Sequence, residues 1–392
     1  MKEATPEDPG SPADRAVQNA PAQAQGNDVA VPPLITADST PGQRQPHPTP
    51  SGTQSWDGKA SEGGPTALGR AVLDWSGVLI AGALILVPLW MLLGNSAVLG
   101  GHPALPILLS AALALGLLWI FVLLKRSTLL ERWSLNQARK PPRRQETRRT
   151  ASRWQLLRGL AGRLAALGLV AGLAWLNPFP YQPSGADGQT TGTTTEDATT
   201  ITLSPQGQPR AGLVFYPGAR VDARAYQDIL GPLANAGYLV VILKVPLGIP
   251  LLDIGQARGA MDGHAGITSW AVGGHSLGGV SAASFATSNL DVSGLLLFAS
   301  YPAESMTDSG HLSVLSIAGS HDGLTTPDKI AASKSLLPST ASFATVEGGV
   351  HAFFGDYGEQ PGDGEPGISR QQAQQQIAAE SVRFMDGLAS SG

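Results

Sequence analysis

The chain has 392 residues, 26 Lys and Arg against 30 Asp and Glu, a formal net charge of −4, and no cysteine. That length allows two or three folded units, and the near-balance of charge argues against a nucleic-acid binder, whose domain is strongly basic. Without cysteine there is no disulfide framework, no Cys-ligated zinc or iron–sulfur site and no thiol nucleophile.

Residues 1–70 hold 11 of the 30 prolines and few aromatic or branched apolar residues. They are expected to form a disordered tail, because they offer too little apolar surface to offset the entropy of ordering. The tail does not read as a secretory signal, since its first apolar run begins near Ala71 and no basic n-region precedes it.

Residues 71–181 are expected to be a membrane region. The runs 75–94 and 103–124 contain 20 and 22 residues without a charge. At 1.5 Å per residue each helix reaches about 30 Å, the thickness of a bilayer core. Residues 164–181 are a weaker third candidate, with an interfacial helix as the alternative. Between the second and third runs, the loop 125–163 carries twelve Lys and Arg against Glu131 and Glu146. So basic a loop is expected to stay cytoplasmic and to meet anionic headgroups. Three spans then put the part after residue 181 on the extracytoplasmic side of a bacterial cell membrane, whereas two would keep it inside. Residues 182–199 read as a Gly/Thr-rich linker, spanning about 20–25 Å as a flexible coil.

From Thr200 to the end, short apolar runs alternate with helical patterns. Strands are expected over 212–216, 238–243, 267–272, 294–299, 312–318 and 342–346. Helices are expected over 222–236, 256–264, 277–288, 326–336 and 370–388. This alternation predicts an α/β domain with a mostly parallel, doubly wound sheet, and the near-continuous apolar runs suit strands buried on both faces. From residue 182 onward there are 9 basic and 19 acidic residues, so anionic polymers are not expected partners.

Chemistry-bearing residues fall at the strand ends. The strand over 267–272 runs into Gly273, Gly274, His275, Ser276, Leu277, Gly278 and Gly279, and then a helix. That is G-x-S-x-G in the strand–turn–helix setting of a nucleophile elbow, where small residues let the serine hydroxyl rise above the sheet. A tight turn needing only small residues is the alternative. The following strands end near Asp322 and His351, so Ser276, Asp322 and His351 follow one another in the Ser…Asp…His chain order. Asp328 falls inside the next helix and His321 reads as a solvated turn residue. His275 is expected to point away from the Ser276 hydroxyl. The first core strand ends in Tyr216-Pro217-Gly218-Ala219-Arg220, where the N–H of Ala219 or Gly218 would join that of Leu277 in an oxyanion hole. The acidic stretch 356–365 lacks the spacing of a calcium loop and is read as solvated.

Six segments in this order, FYPGARVDARAY, GYLVVILKVPL, GGHSLGG, LLFASYPA, GSHDGLTTP and EGGVHAFFGDYGEQPGDG, resemble the α/β-hydrolase fold family, specifically its compact dienelactone-hydrolase-like bacterial branch. The resemblance covers about residues 200–388. It implies a serine hydrolase with Ser276, Asp322 and His351 as its triad, acting on a carboxylic ester or related acyl bond of a small-molecule substrate. No metal or organic cofactor is implied. The antiparallel strands that usually open the fold are expected to be reduced to about 200–209. Only about ten residues, 301–310, separate two late strands where lidded members insert a cap, so an open site that accepts short acyl esters is expected. The alternative is a catalytically silent hydrolase fold used as a membrane-tethered binding module.

Overall fold

The computed structural model describes residues 67–138, 153–183 and 190–391. Nearly all of the expected tail, the middle of the basic loop and part of the linker lie outside the described residues.

Three of the first four helices form one group, α3 (Ala104–Ala138) and α4 (Arg153–Trp175) each packing on α1 (Ala67–Gly94), with the short α2 (Ser96–Gly100) between α1 and α3. Each long helix holds a stretch long and apolar enough to cross a membrane: Trp75–Gly94, Ala104–Arg126 and Leu157–Trp175. Their contact surface is apolar, built from Ile80, Leu84, Met91, Leu105, Leu109 and Leu173. Their outer faces expose Leu79, Leu86, Leu93, Ile107, Phe121 and Leu164. Water would penalise such a surface and lipid tails would not. Arg163 turns inward and donates from Nε to Ser76 Oγ at 2.8 Å.

The third apolar helix differs in place from the expected 164–181. It ends at Trp175, and residues 176–181 leave it as irregular chain. Pro178 explains the stop, because proline has no N–H to continue the ladder and restricts the residue before it.

The C-terminal domain contains one eight-stranded sheet in the order β1-β2-β4-β3-β5-β6-β7-β8. The strands are β1 (Thr193–Glu196), β2 (Thr200–Ser204), β3 (Gly212–Tyr216), β4 (Leu239–Leu243), β5 (Trp270–His275), β6 (Val292–Phe298), β7 (Ser313–Gly319) and β8 (Ser342–Val346). From β3 to β8 every pairing is parallel, whereas β2 runs antiparallel to β4 and β1 to β2. The opening antiparallel pair is therefore present. Its first strand lies inside the stretch read as linker, where Thr193–Thr195 supply β-branched side chains that suit a strand. The start of β5 also moves, from 267 to Trp270.

Alternate side chains of each strand feed opposite faces. Leu213 and Phe215 meet α5 (Gln227–Asn235) and α9 (Arg370–Ser391) in a core that includes Ile229, Leu233, Ile377 and Met385. Val214 and Tyr216 meet α6 (Gln256–Asp262) and α7 (Leu277–Ser288) through Met261, Ala282 and Phe285. Burying one such Leu, Val or Phe stabilises the fold by about 1.5–3 kcal/mol. The last helix of the set, α8 (Pro327–Ser333), follows β7. Between β6 and β7 the described chain forms no helix or strand.

Candidate active site

The C-terminal ends of β3, β5, β7 and β8 lie along one edge of the sheet, with β6 between β5 and β7, and the loops leaving them build the candidate site. At the end of β5, Ser276 adopts φ 53° and ψ −122°, a left-handed conformation that costs a non-glycine residue about 1–3 kcal/mol. Its surroundings hold it there. Its N–H donates to Phe298 O at 3.0 Å, and Ser300 Oγ donates to its carbonyl at 2.6 Å. Glycine is obligatory on both sides of the turn. A Cβ on Gly274 would sit 2.3 Å from the Gly278 carbonyl carbon, and one on Gly278 would sit 2.2 Å from Tyr216 O. Ser276 stays partly exposed while its strand is fully buried.

His351 Nδ1 lies 2.8 Å from Asp322 Oδ2, with both side chains fully buried. The other Asp322 oxygen accepts from the N–H of Leu324 at 2.8 Å and of Thr325 at 2.6 Å. The carboxylate is thus oriented from both ends. His351 Nε2 is buried and has no hydrogen-bond partner. Its ring centroid is 4.5 Å from that of His275, the residue preceding Ser276. Asp328 stands exposed in the first turn of α8. His321 is exposed and contacts Glu365 O through Nδ1.

The residues expected to supply an oxyanion hole divide. The N–H of Gly218 donates to Tyr226 Oη at 2.8 Å. The N–H groups of Ala219 and Leu277 have no protein acceptor among the described residues, and both residues are partly exposed. Leu277 opens α7, where the helix leaves its first N–H groups free.

With this geometry in view, comparison with known proteins places the domain. Residues 212–376 match the alpha/beta hydrolase family model. The C-terminal domain is an α/β-hydrolase domain. A similar solved structure is the esterase domain of a Rhodothermus marinus protein, 13% identical, with a TM-score of 0.37, covering 48% of this chain and 92% of that one. No curated protein matches the chain.

Three residues of the candidate site carried no signal in the sequence. Asp363, in the acidic stretch read as solvated, accepts from the N–H groups of Gly323, His351, Ala352 and Gly364 at 2.8–3.2 Å. One carboxylate therefore stitches the Asp322 loop to the His351 loop. The other two, Tyr226 and His275, form a buried relay. Tyr226 Oη accepts from Gly218 N–H and lies 2.9 Å from His275 Nδ1, within hydrogen-bond distance. His275 is fully buried against Tyr226, Phe354, Tyr357 and His351. Burial first, and the neighbouring His351 second, hold its imidazole well below the usual histidine range. Among the described residues no cluster of three His, Asp or Glu side chains is placed to hold a metal.

Two outcomes follow from these contacts. Asp363→Ala leaves four N–H groups without their acceptor, so stability falls by about 1–3 kcal/mol. Turnover of an ester is then expected to fall at least tenfold; unchanged turnover in a folded variant would show that Asp363 does not position His351. For His275 the folded chain resists a proton that the unfolded chain takes up near pH 6.5. Stability is therefore lost as pH falls below 6.5, by up to about 1.4 kcal/mol per pH unit. Denaturation midpoints of the full chain in micelles at pH 7.5, 6.5 and 5.5 should show a shallower acid slope for His275→Gln than for the parent. Equal slopes would mean that His275 is not held neutral.

Proposed function

We propose that the chain is a membrane-anchored serine hydrolase that cleaves a carboxylic ester or related acyl bond with Ser276, His351 and Asp322. The observation that carries this reading is the buried His351–Asp322 pair, whose Nε2 has no hydrogen-bond partner and whose ring is 4.5 Å from that of His275, the residue before a serine held in a left-handed turn. Serine is a weak nucleophile until a base takes its proton, and the base needs a third group to orient it. Asp322 holds Nδ1–H and stabilises the imidazolium. His351 Nε2 takes the Oγ proton as Oγ attacks the acyl carbon.

The negative oxygen that forms is received by the free N–H groups of Leu277 and Ala219, with help from the N-terminal end of α7. Gly218 is not used, because its N–H is already donated to Tyr226. The acyl–oxygen bond then breaks, and the leaving alkoxide takes the proton from His351. Water next attacks the acyl-serine and gives one proton to Nε2. The carboxylic acid departs as Ser276 recovers its hydrogen, so water is the only co-reactant. The short connection between β6 and β7 supports an uncapped site of the compact dienelactone-hydrolase-like kind.

The three apolar helices are the anchor, with the third span at Leu157–Trp175. The basic loop then faces the cytoplasm and the hydrolase lies on the other side. Because the chain has no native cysteine, single substitutions report topology directly. Ser184→Cys is expected to react with an impermeant maleimide on intact cells, and Gln137→Cys only after lysis. The reverse pattern would overturn the arrangement.

Ser276 should be the residue modified by a fluorophosphonate probe. Ser276→Ala and His351→Ala are each expected to lower kcat by several orders of magnitude, with the double variant scarcely worse than either. Asp322→Asn is expected to cost on the order of 10⁴, and Asp328→Asn almost nothing. All are measured in the full chain after melting shows that it is folded. Wild-type turnover by Ser276→Ala would end the serine-hydrolase reading.

A further inference from the structure

The helices do not merely tether the hydrolase; they are packed against the edge of the sheet that bears the site. Asn95, just past α1, donates from Nδ2 to Asn177 Oδ1 at 2.9 Å and to Pro178 O at 2.8 Å. The chain leaving α4 then pairs with the loop after β3. Phe179 N–H donates to Arg220 O at 2.6 Å, and Asp222 N–H donates to Phe179 O at 3.0 Å. The Arg220 guanidinium lies 4.7 Å from the centre of the Trp175 ring and 5.1 Å from that of Phe179. Leu247, from the loop after β4, packs into the apolar core of the helices. The seam encloses only about 30 Å³, room for a water or two.

Both docked loops leave the C-terminal ends of β3 and β4. The strand β5, which ends in Ser276, is the immediate neighbour of β3, one strand spacing of about 4.8 Å away. Ala219, the free oxyanion donor, precedes Arg220 in the docked loop itself. The candidate site therefore lies on the side of the domain against which the apolar helices pack. Trp90 and Trp175, 58% and 56% exposed, ring the ends of α1 and α4 on that side, as aromatic residues do at a bilayer interface. A groove of about 460 Å³ runs from Trp90 to Arg220. The loop after β4 goes on through Leu251 and Leu252, 44% and 55% exposed, at the same edge of the sheet. Among the described residues, the connection between β6 and β7 adds no helix or strand over this edge.

We propose that the active edge of the hydrolase sits on the bilayer that holds its helices, with Leu251 and Leu252 dipping into the interface. Its substrate is then an amphiphile of that leaflet, a long acyl chain in an ester at headgroup depth. The orientation stands on the seam alone, whereas the substrate class rests on the serine-hydrolase reading.

The full chain in phosphatidylcholine vesicles tests the two parts separately. Leu252→Cys and Leu290→Cys are each labelled with an environment-sensitive fluorophore. Leu290 is 80% exposed and lies before β6, at the opposite edge of the sheet. Brominated acyl chains are expected to quench the label at 252 and not at 290. Equal quenching, or none at 252, overturns the orientation whether or not the protein is an enzyme. The second arm compares a vesicle-embedded palmitate ester with a soluble butyrate ester. Leu251→Asp combined with Leu252→Asp is expected to slow the palmitate ester at least tenfold while butyrate turnover stays within twofold. An equal fall on both esters, or no change on either, overturns the substrate class. A parent chain inert towards both esters and unlabelled by fluorophosphonate instead sinks the hydrolase reading and leaves the quenching result to decide orientation.

Discussion

The left-handed turn at Ser276 is the constraint around which the domain is arranged. A serine at φ 53° persists only where its neighbours hold it more strongly than the strain opposes. Phe298 and Ser300, at the end of the next strand, grip its N–H and carbonyl, and Gly274 and Gly278 leave room for backbone to approach where a methyl would collide. The turn ends β5 and starts α7, so Ser276 and a helix N-terminus come from one local structure. Because β3 lies beside β5, the free N–H of Ala219 reaches the same edge.

Hydrogen bonds to backbone, rather than salt bridges, place the remaining groups. Asp322 is oriented by two N–H groups on one oxygen and by His351 on the other. Asp363 joins the two loops through four N–H groups. Arg370 closes the far side of the His351 loop by donating to the carbonyls of Ala352, Gly355 and Gly358. Loops are normally the mobile part of a domain; here, acceptors and donors spent on backbone groups give them a single shape. The same device, through Tyr226, links the loop after β3 to His275 at the end of β5.

An uncapped hydrolase exposes its site to whatever lies in front of it. In this chain the loops after β3 and β4 face the ends of the apolar helices, and the interface is closed by Asn95, Phe179, Arg220 and Leu247. A surface of lipid would then do what an inserted cap does in other members of the fold, restricting approach and lowering the local polarity.

The sequence by itself determined the α/β class, the helix over 277–288, the strands 212–216 and 342–346, and the order of Ser276, Asp322 and His351. Periodicity and glycine placement are local properties, and the chain order of strand ends follows from them. What it misplaced was also local in cause. Apolar content ran past Pro178 although the helix stops at Trp175, and Thr193–Thr195 looked like linker because an edge strand is recognisable only with its partner present. Asp363 among other acids, and His275 beside the elbow, gave no signal in the sequence, since both act through groups 11–49 positions away. That the N–H of Gly218 finds an acceptor while that of Ala219 finds none among the described residues, and the seating of the helices against the loops after β3 and β4, belong to the tertiary structure alone. Each depends on which donor finds an acceptor and which surfaces meet, and neither is encoded in any stretch short enough to read by pattern.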